Sequence, residues 1–139
     1  DMVRMLVEAG ADVAARDDDG NEPLLMAIRN GGTAIVGYLL DHGADINATS
    51  NSGEAPIHRA TRMTRKDTAL LLLRRGADIN VQDGGYKSPL HIAIENGMES
   101  LAREYIACGA DPYALDLFDK NAVHYASESK DEKLLSLFR

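Results

Sequence analysis

The chain has no tryptophan, two phenylalanines and five tyrosines in 139 residues. With so few rings, its core is expected to be aliphatic, built mainly from Leu, Ile, Ala, Val and Met. Cys108 is the only cysteine, which excludes an internal disulfide framework and a cysteine-based zinc site. A cytoplasmic or nuclear setting follows as the default. No apolar run approaches membrane-spanning length, so direct membrane insertion is not expected, and the first residues lack the charged and apolar regions of a signal peptide. A net charge of −7 argues against general attraction to nucleic acid or an anionic membrane. The hydrophobic content of 45% is ordinary for a folded chain, and the length fits one domain.

What the sequence does have is a pattern that returns every 33 residues. Ser88-Pro89-Leu90-His91-Ile92-Ala93 has counterparts in Glu22-Pro23-Leu24-Leu25-Met26-Ala27, Ala55-Pro56-Ile57-His58-Arg59-Ala60 and Asn121-Ala122-Val123-His124-Tyr125-Ala126. A second marker keeps the same step: Gly10-Ala11-Asp12, Gly43-Ala44-Asp45, Gly76-Ala77-Asp78 and Gly109-Ala110-Asp111. Two markers sharing one period without insertion signal a stack of repeats. On this reading residues 17–49, 50–82 and 83–115 are full repeats, 1–16 is a partial one, and 116–139 breaks off inside its second helix.

Each repeat has a local logic. In residues 17–49 the cluster Asp17-Asp18-Asp19-Gly20-Asn21 is a turn, and Pro23 opens a helix because its missing N–H falls among donors that would be unpaired anyway. Leu24, Ala27 and Ile28 supply the apolar face of that helix, which Gly31-Gly32 ends. Ile35, Val36, Leu39 and Leu40 line a second helix closed by Gly43. Met2, Val3, Leu6 and Val7 form a similar stripe in the partial repeat. Departures from the pattern mark places to look. Thr64 stands where Gly31 and Gly97 stand, so that helix is expected to end differently, and Tyr86 replaces Gly20 and Gly53, so that turn is expected to be rebuilt around an aromatic ring.

The quoted residues resemble the ankyrin repeat, whose unit of this length carries a Thr-Pro-Leu-His-x-Ala signature opening the first of two helices. The resemblance covers the whole chain. It implies an all-helical solenoid of turns or short hairpins, each followed by two antiparallel helices, with no cofactor and no chemistry of its own. It also implies that His58, His91 and His124 tie turns to their neighbours. Asn47 and Asn80 are assigned the same kind of loop-tying role. The implied function is a protein or peptide interaction module, monomeric as this segment, that binds on a concave face formed by turn tips and first helices.

Other chemistry is poorly supported. Asp17-Asp18-Asp19-Gly20 resembles part of a calcium loop, but Ala15 and Met26 occupy the first and last ligand places. There is no serine-nucleophile elbow, no His-Glu-x-x-His and no phosphate-binding Gly-Lys-Ser/Thr loop, so neither a catalytic nor a metal site is assigned. Cys108 precedes Gly109 at a helix end, where the negative dipole end disfavours a thiolate.

Charge is distributed unevenly. Residues 17–49 contain one Lys or Arg against six Asp or Glu, whereas residues 50–82 contain six against three. The surplus gathers at Arg59, Arg62, Arg65 and Lys66, with Arg74 and Arg75 on the second helix. Arg59, Arg62 and Lys66 are therefore candidates for an acidic or phosphorylated peptide. The alternative is that these side chains pair with Asp17, Asp18, Asp19, Glu95 or Glu99. On the resemblance, the binding surface also takes in Asp18, Asp19, Asn21, Arg29, Asn51, Ser52, Glu54 and Met63, and further along Tyr86, Lys87, Glu95, Leu117 and Phe118. Leu117 and Phe118 are apolar where other turns are polar, which fits either a binding anchor or packing against a continuation of the chain. A targeting or regulatory segment of a larger multidomain enzyme or channel is the alternative function; nucleic acid is disfavoured by the acidic repeats.

Overall fold

The computed structural model describes residues 10, 12–30 and 32–139. These fall into two compact units, one within Asp1–Ala77 and the other Asp78–Arg139. The described residues form eight helices and no strands. The first unit contains α1 (Pro23–Asn30), α2 (Thr33–Asp41), α3 (Pro56–Arg62) and α4 (Lys66–Arg74). The second contains α5 (Pro89–Glu95), α6 (Glu99–Ala107), α7 (Ala122–Ser129) and α8 (Glu132–Ser136). In the first unit α1 packs on α2 and α3, α3 on α4, and α2 on α4, so the first helices form one layer and the second helices another. In the second unit α5 packs on α6 and α7, and α7 on α8. The stripe Met2, Val3, Leu6 and Val7 and the helix-ending Gly31 lie outside the described residues.

Each first helix except α1, which carries Leu25 at the equivalent place, starts in the same way. Its histidine sits three residues after the N-cap and accepts the N-cap backbone N–H at Nδ1: from Ala55 at 3.1 Å for His58, from Ser88 at 3.0 Å for His91 and from Asn121 at 3.4 Å for His124. Ser88 and Asn121 answer with side-chain oxygens that accept the His91 and His124 N–H groups. Two donors that a helix start leaves unpaired are thereby satisfied. With Nδ1 accepting, Nε2 of His91 is free to donate to the Lys120 carbonyl, 3.1 Å away in the next turn. His91 therefore joins a helix start to a neighbouring turn, the structural role that the resemblance implied.

The core is mostly aliphatic. Leu24, Leu25, Ile28, Leu39, Ile57, Leu72, Leu90, Ile94, Leu101 and Leu134 are buried, and Ala27, Ala60, Ala93 and Ala126 recur where helices meet. Leu25 joins the expected face of α1, while Ile35 and Leu40 are only half-buried. Tyr105 is a fully buried aromatic exception.

Two expectations need correction. The helix before Thr64 does not end differently: Thr64 takes φ 57°, its N–H bonds the Thr61 carbonyl, and the next N–H, from Arg65, bonds Ala60. Gly97 at φ 69° does the same with Ile94, followed by Met98 with Ala93. Nor is the turn at Tyr86 rebuilt. Tyr86 takes φ 60°, beside 78° at Gly20, 79° at Gly53 and 58° at Asp119. All four turns close through the same two backbone hydrogen bonds, in the Tyr86 turn from Asp83 to Lys87 and from Tyr86 to Asp83. The turn geometry overrides the residue's preference, so a β-branched Thr and a Tyr are held in backbone that glycine occupies elsewhere.

That strain is measurable. Thr64→Gly relieves about 1–2 kcal/mol of left-handed strain and gives back about 0.4–1 kcal/mol through the freer unfolded chain, so urea unfolding is expected to show a net gain of about 0.5–1 kcal/mol. Gly20→Ala is expected to destabilise, since φ is positive there and the new Cβ would lie 2.9 Å from the Asn51 backbone nitrogen.

Candidate functional site

In the first unit the candidate surface starts at two stacked turns. Asp17 Oδ1 accepts the N–H groups of Asp19 at 3.0 Å and Asn21 at 2.8 Å, closing the first turn from inside. The Asn21 backbone bond is the leading reason why the Asp17 carboxyl sits below its ordinary range. In the second turn Ser50 takes that place, and its hydroxyl meets the Ser52 hydroxyl at 2.9 Å. The turns are joined by the Asn51 N–H, which donates to the Asp19 carbonyl at 2.9 Å, and by Asn51 Nδ2, which donates to the Asp18 carbonyl at 3.2 Å. Arg16 adds a further link, donating to the Thr49 carbonyl at 2.9 Å and pairing with Glu22 at 3.0 Å. The turn tips are thus a fixed backbone frame.

The adjoining helices bring the charges. Arg59, on α3, reaches back across α1: Nε donates to Glu54 at 2.5 Å, Nη2 to Asn21 Oδ1 at 2.9 Å and Nη1 to the Leu25 carbonyl at 3.3 Å. Burial pulls its pKa below the usual arginine range, against the opposing pull of the Asp17 charge. Glu54 also pairs with Arg62. The Glu54 side chain is 4% exposed and that of Arg62 is 56% exposed, so one buried carboxylate serves an inner and an outer guanidinium. Arg29, at the end of α1, is exposed and has no carboxylate partner among the described residues. Arg65 donates to the Arg29 carbonyl at 3.2 Å, and Arg75 pairs with Asp41.

Two grooves open between these side chains. One of about 170 Å³ is lined by Arg29, Glu54, Arg59, Arg62 and Met63. Its neighbour, of about 340 Å³, is lined by Asp19, Asn21, Arg29, Ser50, Asn51, Ser52 and Arg59. Sequence reasoning missed Ser50, although its signal was a serine where the other three turns begin with aspartate. Two expected residues are placed elsewhere. Lys66 opens α4 in the second-helix layer and lines neither groove, and Asp18 contributes its carbonyl while its side chain stays exposed at the tip. Of the alternative partners for the arginines, Asp17 acts on Arg59 only through its charge, Asp18 and Asp19 form no ion pair among the described residues, and Glu95 pairs with Lys87 and Glu99 with Arg103, so the arginines pair instead with Glu54 and Asp41.

The second unit has its own turn-and-helix surface. Lys87 pairs with Glu95 at 2.5 Å, and Lys120 with Glu128 at 2.6 Å. Both ammonium groups lie over the Tyr125 ring, 5.4 and 5.7 Å from its centre. The Tyr125 hydroxyl donates to Asp116, whose other oxygen accepts the N–H groups of Phe118 and Lys120. Burial, then the Asp116 bond and charge, push the phenol well above its ordinary range. Burial opposes the charge on Asp116, but the bonds from Tyr125, Lys120 and Phe118 outweigh it and hold its pKa low. The Leu117 N–H donates to the Gly85 carbonyl at 2.9 Å and sets the two turns side by side. Tyr86, Leu117 and Phe118 are 53%, 60% and 70% exposed, and Leu115 and Tyr113, unforeseen from sequence, join them as exposed apolar groups.

No group of His, Cys, Asp and Glu among the described residues could hold a metal ion, and none of the described helices is long and apolar enough to cross a membrane. Turns locked by backbone hydrogen bonds, paired helices and exposed, chemically varied side chains define a helical-repeat interaction module. The match to known families gives that class its name. Residues 1–83 match the family model for ankyrin repeats in three copies and residues 86–117 the model for a single ankyrin repeat, so the chain belongs to the ankyrin-repeat family, whose members in general bind other proteins. No curated protein matches the chain significantly.

Two outcomes test this geometry. Glu54→Gln leaves Arg59 short of its buried partner and is expected to cost about 1–3 kcal/mol in urea unfolding, whereas Arg62→Ala, at the exposed end of the same pair, is expected to change stability by no more than about 1 kcal/mol. Because the folded Asp116 pKa lies below its unfolded value, its stabilising effect is present above about pH 3.9 and is lost as pH falls through the folded value. The stability lost between pH 7 and about pH 3 should therefore be smaller in Asp116→Asn than in the unaltered chain.

Proposed function

We propose that the chain binds an acidic or phosphorylated peptide segment of a partner protein, and that the contact lies on the turn-and-first-helix surface that forms the concave face in this family. The observation that carries this reading is the pair of grooves sharing Arg29 and Arg59, with Arg62 at the outer edge. Three guanidiniums there face two carboxylates, Glu54 and Asp19, and arginine binds carboxylate and phosphate through paired, charge-assisted hydrogen bonds. A frame already held by backbone bonds needs little ordering on binding, which favours affinity. In the second unit Tyr86, Leu117 and Phe118 offer apolar contacts beside the paired Lys87 and Glu95. Such exposed aromatic groups are common anchors. The reading places the chain in the cytoplasm or nucleus as a non-catalytic monomeric module.

A displayed library of random peptides tests it. Acidic peptides should be enriched on the chain and lost from Arg29→Glu, with Lys66→Glu retaining them. Selection without an acidic bias contradicts the reading, and loss in Lys66→Glu alone contradicts the groove location.

A further inference from the structure

We infer that the smaller groove is a phosphate site, so that the partner peptide is recognised by a phosphorylated serine or threonine and not merely by an acidic side chain. This rests on the acidic-peptide reading and sharpens it. The argument starts from a regularity in the charges. The residue that ends each turn pairs with the residue eight positions later near the end of the following helix: Glu54 with Arg62, Lys87 with Glu95, and Lys120 with Glu128. The order of charges in the first of these pairs is opposite to that in the other two, but each pair is complementary. At the corresponding positions 33 residues before Glu54 and Arg62 stand Asn21 and Arg29. Asn21 is neutral, so among the described residues the Arg29 guanidinium lacks the counter-ion that its counterparts have.

That vacancy falls beside a second imbalance. Glu54 is shared by Arg59 and Arg62, so the groove lined by Arg29, Glu54, Arg59 and Arg62 holds three positive charges and one negative charge. A single carboxylate would offset half of this surplus; a phosphomonoester, carrying about −1.5 to −2 at pH 7, would offset nearly all of it. Donors are available. Arg59 uses three of its five N–H groups, on Glu54, Asn21 and Leu25, and lines the groove, while Arg29 makes no side-chain hydrogen bond to another described residue. The volume of about 170 Å³ could hold several waters and therefore a phosphate. Met63, 36% exposed at the rim, gives an adjoining peptide side chain an apolar contact. The net charge of −7 disfavours an anionic bilayer as the source of the phosphate.

The test uses the isotopically labelled chain in magnetic resonance titrations at fixed ionic strength. The probes are inorganic phosphate, O-phosphoserine, aspartate, and a short Gly-Ala peptide with one central phosphoserine. Saturable shifts are expected at Arg29, Glu54 and residues 59–63 with the phosphorylated probes, and much weaker shifts with aspartate. In Arg29→Gln the affinity should fall about ten- to a hundredfold, the usual effect of losing a charged hydrogen bond. Asn21→Glu, which supplies the missing counter-ion, should fold and lose phosphate binding in the same way. Equal saturation by aspartate would overturn the phosphate assignment and leave the acidic-peptide reading standing. Absence of saturable binding by every phosphorylated probe would also overturn it, and the peptide library would then report separately on the broader reading. Tighter capture by phosphatidylcholine vesicles containing phosphoinositides than by the phosphopeptide would replace the peptide with a membrane.

Discussion

The rest of the structure depends on one residue in each turn, held at positive φ so that two backbone hydrogen bonds can close around it. Gly20, Gly53, Tyr86 and Asp119 fill this place with φ between 58° and 79°. Once the turn is closed, its carbonyl can meet the N–H of the next turn, as Asp19 meets Asn51 and Gly85 meets Leu117. The following helix then starts at a fixed distance, capped by its own histidine in every turn but that of Gly20. The side chains at the turn tips are thus presented from backbone whose shape does not depend on them. This is why residues as different as Asp19, Ser52, Gly85 and Phe118 can occupy one place without altering the frame.

The core and the outward surface are built from different atoms. Leu24, Ile28, Ile57, Leu90 and Ile94 hold the helices together with side chains that contribute nothing polar. The outward groups pair in part among themselves: Glu54 with Arg59 and Arg62, Lys87 with Glu95, and Lys120 with Glu128. Burying Glu54 beneath two arginines sets Arg59 in one orientation. A fixed guanidinium loses less entropy on meeting an anion than a mobile one, so an interaction of modest structural value can still improve binding.

Much of this was legible in the sequence because repetition is a strong signal. The 33-residue step located every described helix, and the recurring histidine pointed to a structural role. What the sequence hid was geometry that does not repeat. Thr64 and Tyr86 looked like altered turns because their intrinsic preference disagrees with positive φ, yet the hydrogen bonds of the turn prevail. Lys66 looked like part of the arginine cluster because it lies near Arg62 in sequence, but the helix-ending turn at Thr64 carries it into the other helix layer. The partner of Arg59 was equally obscure. Many acids were available, and only folding shows that Glu54, five residues earlier, lies beneath it. Tyr113 stands where Asn47 and Asn80 stand and its N–H makes the same bond to the aspartate two residues earlier, so the repeat marks its backbone but not its apolar side chain.

Amide hydrogen exchange of the chain, free and bound to a selected acidic peptide, tests the location of recognition most directly. The account predicts added protection at residues 19–21, 50–54 and 59–63, with α2 and α4 unchanged. Protection confined to α2 and α4 would place recognition on the opposite layer and contradict it.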